Sequence, residues 1–183
     1  MILHRLWPVA ALIAGLASGS LLHSQPVNPA VSQCRAGEAV IYSCKFGKSV
    51  GSVCGSKSAV HYRYGPLGQP ALDLANRSDW SNVRVGTVRG QGAGGYQEHV
   101  RFSNGQTHYI VFKGQDGELA DRPGRTYSGI SVQTGPQGET TLASLSCSSG
   151  STSSGSIVDA VNSRSPDDTD LSEEADGPFD AWF

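Results

Sequence analysis

Residues 96–112, YQEHVRFSNGQTHYIVF, decide how this chain is read. Apolar and polar residues alternate on both sides of Asn104-Gly105. That dipeptide is a strong turn signal, because both central residues of a type I′ turn take positive φ, which Gly and Asn tolerate best. The stretch is therefore expected to be a β-hairpin. With Asn104 and Gly105 as the loop, Phe102 faces Thr107, Val100 faces Tyr109 and Glu98 faces Val111. Tyr96, Val100, Phe102, Tyr109 and Val111 then share the expected core face. Glu98 shares that face, either at the sheet margin or buried and paired. The other face carries Gln97, His99, Arg101, His108, Ile110 and Phe112, a mixed surface open to solvent or to a contact.

The same pattern continues on both sides of the hairpin. Short runs suited to strands lie at 38–45, 50–54, 59–64, 71–75 and 83–88 before it, and at 127–133 and 140–147 after it. Gly/Pro turns such as Gly65-Pro66-Leu67-Gly68 and Gly135-Pro136-Gln137-Gly138 separate them. No segment before residue 147 has helical periodicity. Strands at intervals of roughly ten residues predict an all-β fold, a small antiparallel β-barrel or sandwich of about eight strands.

Residues 1–19 have a short charged start, an apolar run and small residues after it, the pattern of a secretory signal peptide cleaved between 17 and 25. No transmembrane span is expected in the mature chain, which would be periplasmic or secreted. Four cysteines follow, Cys34, Cys44, Cys54 and Cys147. An even number in an exported chain reads as two disulfides, and their long spacing does not suit zinc. An extended strand rises ~3.3 Å per residue, so Cys34 and Cys44 stand too far apart to bridge. In a hairpin turning at 46–49, Cys54 returns beside about Ile41, ~10 Å along the strand from the position opposite Cys44. The expected pairs are Cys34–Cys54 and Cys44–Cys147.

Charge is uneven. Residues 1–147 hold 13 Lys/Arg against 8 Asp/Glu, and residues 148–183 hold one Arg against 8 Asp/Glu. A mildly basic body with an acidic tail gives no argument for nucleic-acid binding. The β-domain is expected over 34–147, followed over 148–183 by a Ser/Gly linker and a largely disordered acidic tail. Within it, Ser156 could cap one helical turn through Val161.

Three catalytic-looking motifs fail in context. Gly47-Lys48-Ser49-Val50-Gly51 spells a nucleophile elbow but enters a strand, and it lacks the first glycine of a phosphate loop. Gly90-Gln91-Gly92-Ala93-Gly94-Gly95 spells a dinucleotide fingerprint, yet a period-2 run follows where a helix is required. A bulged or crossing connection is expected there instead. His99 and His108 are diagonal neighbours in the expected register, close enough to share a metal, but no third ligand can be named; no cofactor or metal is assigned. They and Arg101 define a rival reading, a hydrolase or metal-dependent enzyme. A structural envelope protein is a third.

Two resemblances bear on function. Cys34, Glu38, Tyr42-Ser43-Cys44, Phe46-Gly47, Ser52-Val53-Cys54, Tyr62-Arg63-Tyr64-Gly65 and Val100-Arg101-Phe102 with Asn104-Gly105 resemble a group of uncharacterised exported proteins of Gram-negative bacteria. Tyr42-Ser43-Cys44, Cys147, Gly92-Ala93-Gly94-Gly95-Tyr96 and Lys113-Gly114 are similar in order to the C-type lysozyme inhibitors of the bacterial envelope, although Gly92 stands where that family carries its inhibitory serine. That resemblance implies a small disulfide-linked barrel that is not an enzyme, binding a lysozyme or another envelope component. Its contact residues would be Gly92, Ala93, Gly94, Gly95, Tyr96, Lys113 and Gly114.

Overall fold

The computed structural model describes residues 31–91, 93–148, 151–153 and 155–173. The expected signal peptide, and Phe179, Trp182 and Phe183 of the tail, lie outside them. Among the described residues, no helix is long and apolar enough to cross a membrane.

The strands are β1 (Ala39–Phe46), β2 (Ser49–Gly55), β3 (Val60–Pro66), β4 (Leu72–Ala75), β5 (Val83–Gln91), β6 (Gly95–Asn104), β7 (Thr107–Gln115), β8 (Thr126–Thr134), β9 (Thr140–Ser146) and β10 (Thr152–Ser153), followed by one short helix, α1 (Ile157–Asn162). They form two five-stranded antiparallel sheets, ordered β10-β1-β2-β3-β4 and β5-β6-β7-β8-β9. The sheets do not close into a barrel. Each keeps its own edges, so of the two expected architectures the structure is the sandwich, with ten strands among the described residues where about eight were expected.

The sheets face each other through alternate residues. Tyr42, Cys44, Phe46, Val53, Val60 and Tyr62 of the first sheet meet Val83, Val85, Val100, Phe102, Val111 and Ile130 of the second in one apolar cluster. Tyr62 is its centre, with ring centroids 5.9 Å from Phe102 and 5.6 Å from Tyr109. Burial pushes the hydroxyl pKa of Tyr62 up, and that of Tyr42 up to about 12. A register shift between Val40 and Tyr42 turns Ile41 inward together with Tyr42.

The central hairpin forms, one step out of the expected register. Asn104 pairs with Thr107, Phe102 with Tyr109 and Val100 with Val111, leaving Gly105 and Gln106 as the loop. Gly105 has φ +59 and Gln106 is not among the positive-φ residues. A Gly in the first central position alone suits a type II′ turn rather than type I′. Each partner moves by two positions, so face membership survives. Val100, Phe102 and Val111 are fully buried, with Tyr109 packed against them.

Both expected disulfides are present. Cys34–Cys54 has a Cα separation of 5.3 Å and Cys44–Cys147 one of 5.8 Å. Cys54 stands opposite Val40, one residue from the expected Ile41. The packed chain, however, runs past Cys147. Ser156 caps α1 by accepting a hydrogen bond from Asp159 N, as expected, and Ile157 and Val161 enter the core. Beyond α1, Leu171 is buried and its carbonyl accepts from Val85 N at 2.8 Å. Among the described residues, packed contacts continue beyond residue 147 as far as Glu173. Ile157 and Val161, with Val158 and Ala160 packed beside them, and Leu171 further on anchor this otherwise polar stretch.

Candidate functional site

The expected contact residues fall at one end of the second sheet. Gly92 lies outside the described residues. The connection beside it is a hairpin closed by the Gln91–Gly95 pair, with a register shift at Gly90, so the bulged connection expected from the glycines is what forms. Ala93 and Gly94 take φ +58 and +91 and are exposed, whereas Gly95 is buried and Tyr96 half-buried.

Lys113 and Gly114 stand further in. Lys113 lies opposite Glu98, 3.7 Å from its carboxylate, and donates to Ser153 Oγ at 3.2 Å and to the Gly155 carbonyl at 2.5 Å. Glu98 in turn accepts from Ile157 N at 3.0 Å. Glu98 is thus paired, as one of its two expected placements had it, but half-buried rather than buried. The Lys113–Glu98 pair ties the C-terminal segment down. Gly114 lies under Tyr127, whose ring and hydroxyl occupy the space a Cβ would need.

The loop after β7, not singled out by the sequence, completes this end. Its base is closed by Asp116 N donating to Arg125 O at 2.9 Å, Gly124 N to Asp116 O at 3.1 Å, and an Arg125–Asp116 ion pair at 2.7 Å. Glu118 N donates to the Ala93 carbonyl at 2.9 Å, so the two loops form one unit. Leu119 projects from it, 81% exposed, with Asp121 and Arg122 exposed beside it. The signal available in sequence was a lone Leu in an otherwise polar loop between two strong strands.

The His99/His108 face is a correction. His99 pairs with Phe112 and His108 with Ser103, so the two histidines are four register positions apart, about 13 Å at strand rise. They cannot share a metal. Nor is this face open: Gln97, His99, Arg101, His108, Ile110 and Phe112 are all buried. Glu173 accounts for part of that burial, accepting from Arg101 Nη2 at 2.7 Å and meeting His99 Nε2 at 3.2 Å. Burial pushes the Glu173 carboxyl up, but the hydrogen bonds from His99 and Arg101 and the Arg101 charge outweigh it and hold the pKa at about 2. His108 sits between Ser103 Oγ and the Gly135 carbonyl, both at 2.8 Å.

A second polar cluster lies on the outer face of the first sheet. Arg63, fully buried, donates to both oxygens of Glu38 at 2.6 and 2.9 Å and through Nε to Asp73 at 2.9 Å. Asp73 also meets Arg35 and His61, each at 2.9 Å. Asp73 is thus shared by three basic side chains, which hold it in place on the sheet. Cys34, Glu38 and Cys54 bring ligand atoms within 4.8 Å of one another, but both sulfurs are committed to their disulfide.

Compared with models of protein families, with curated proteins and with solved structures, the chain matches none. Its functional reading therefore rests on the geometry above.

Proposed function

We propose that this chain is an exported, non-enzymatic β-domain that binds a protein or envelope component through the loop end formed by residues 93–96 and 115–125. Two disulfides agree with an oxidising compartment. The observation that carries the reading is Leu119, held out into solvent on a loop whose base is closed by an ion pair and two backbone hydrogen bonds. A pre-organised loop loses little entropy on binding, and an apolar side chain at its tip suits a pocket in a partner.

Inhibition of a lysozyme is the most concrete version. A lysozyme cleft is lined by carboxylates, and the loop end presents a cation beside its apolar tip. Lys113, expected in that part, is engaged by Glu98 and the C-terminal segment. Arg122 is the exposed cation beside Leu119 and takes its place. The test is a lytic assay with C-type, G-type and I-type lysozymes. Inhibition at micromolar protein, weakened at least about tenfold by Leu119→Ala or Arg122→Ala, is expected. No inhibition of any class removes the lysozyme version. The wider reading is tested by a pull-down from envelope extract with wild type and Leu119→Asp: a component retained by the first and lost by the second supports it, and equal retention refutes the loop end.

A further inference from the structure

On the outer face of the second sheet a groove of about 530 Å³ runs past Gln97, Tyr127, Ser144 and Ser146 to the Asp116–Arg125 pair. Its shape follows from two glycines inside strands. The Tyr127 ring lies over Gly114 and the Phe112 ring over Gly129, each in the volume a Cβ would take. Both rings therefore lie along the sheet rather than stand on it. Their centroids are 6.4 Å apart at 53°. Phe112 is buried, whereas Tyr127 is half-exposed.

We propose that this groove binds a neutral oligosaccharide. A sugar ring has an apolar C–H face and a rim of hydroxyls, and needs an aromatic surface beside fixed donors and acceptors. Tyr127 supplies the surface. Ser144 and Ser146 supply hydroxyls that donate or accept, and the buried Gln97 amide borders the floor. The charged groups at the end of the groove neutralise each other, Arg125 to Asp116 at 2.7 Å, so the site selects no net charge on its ligand. That pair can still accept a hydroxyl proton on one side and donate on the other. Among the described residues no aliphatic side chain lines the groove, so a peptide would find no pocket there for an apolar anchor. The site adjoins the loop end but does not depend on the partner reading above.

The test is a titration of the full mature chain with chitohexaose, cellohexaose and maltohexaose at millimolar concentration, followed by amide chemical shifts. Saturable shifts at Tyr127, Gly129 and Ser146 with at least one glycan are expected. Tyr127→Ala should weaken binding at least about tenfold and Tyr127→Phe by less than about threefold, since the ring face is what stacks. Tyr127 also packs on Gly114, so a second variant, Ser146→Arg, fills the groove from an exposed position and should abolish the shifts while the melting temperature is kept. Absence of shifts with all three glycans overturns the proposal. So does retained affinity in Ser146→Arg, or a neutral extended peptide that moves the same resonances when no glycan does.

Discussion

Arg63 illustrates how much a single residue can organise. It is the largest fully buried side chain in the described structure, and its guanidinium is matched by Glu38 and Asp73. Its hydrogen bonds hold the Glu38 carboxyl below its ordinary value. At Asp73, burial pushes the carboxyl up, and hydrogen bonds from Arg63 and His61 bring it below the ordinary value. Replacing Arg63 with Met keeps much of the volume but leaves two carboxylates without their shared cation. We expect Arg63→Met to lower stability in urea denaturation at pH 7 by about 3–5 kcal/mol, the range for breaking a buried pair from one side. The loss should shrink as pH falls below the ordinary carboxyl range, because both carboxyls are held below their ordinary values in the wild type and their pairing with Arg63 is lost only as they protonate there. Gly129 makes a different demand, for space alone. A Cβ there meets the Leu145 carbonyl, and lies 2.6 Å from the Phe112 ring. Gly129→Ala is expected to cost about 1–3 kcal/mol and to loosen β9, read as faster amide exchange at Leu145. Sequence showed that Gly129 lies inside a strand run, which implies close approach of something. It could not show that the neighbours are β9 and Phe112, because both come from register.

Among the elements, the hairpin was legible because alternation and a turn dipeptide are local. Its partner assignment slipped by one step on each strand because Gly105 alone needs positive φ, so Asn104 stays in the ladder. Its polar face could not be read locally at all. What meets His99 and Arg101 is Glu173, more than 70 residues later, carried there by a segment whose composition suggested no structure. That segment hooks over the edge of β5, with Leu171 on the core side, its carbonyl on Val85 N, and Glu173 on the outer face. The hook should be acid-labile in a defined window. The Glu173 carboxyl has a folded pKa of about 2 against an ordinary 4.5, so its contribution is complete above pH 4.5 and is lost as pH falls towards 2. The shift corresponds to about 2–3 kcal/mol after allowing for partial solvent access. Exchange protection of the Val85 amide should therefore fall between pH 5 and pH 2.5 in the wild type. In Glu173→Gln it should already be low at pH 7 and change little; a flat wild-type profile would refute the hook.

At the scale of the whole molecule, two five-stranded sheets must be held face to face, and the two disulfides do different parts of that work. Cys34–Cys54 joins residues 20 apart and fastens the segment before β1 to the outer face of the first sheet, beside the Arg63 cluster. Cys44–Cys147 joins residues 103 apart and ties β1 of the first sheet to the chain leaving β9 of the second. Strand rise and a hairpin turn were enough to choose this pairing from sequence, since distance along a strand is a hard constraint. Sandwich against barrel was not decidable that way, because it depends on whether edge strands meet around the sheet, and alternation is the same in both. The chain-entropy model assigns about 3 kcal/mol to the shorter loop and about 4.7 kcal/mol to the longer. Removing Cys34–Cys54 as a double Ala variant also loosens the segment that carries Gln33, whose side chain donates to the Gly65 and Pro66 carbonyls at 2.9 and 2.7 Å. Removing Cys44–Cys147 leaves the covalent continuity of each sheet intact and frees only their relation. The expected outcome is a larger loss of urea midpoint for Cys44→Ala/Cys147→Ala than for Cys34→Ala/Cys54→Ala. The first variant should also lose exchange protection across β1 and β9, and the second should lose it locally at Gly68, whose amide donates to Gln33 Oε1. If the shorter crosslink proves the more stabilising, native contacts of the segment before β1 outweigh loop entropy, and the sheets hold together through their apolar faces alone.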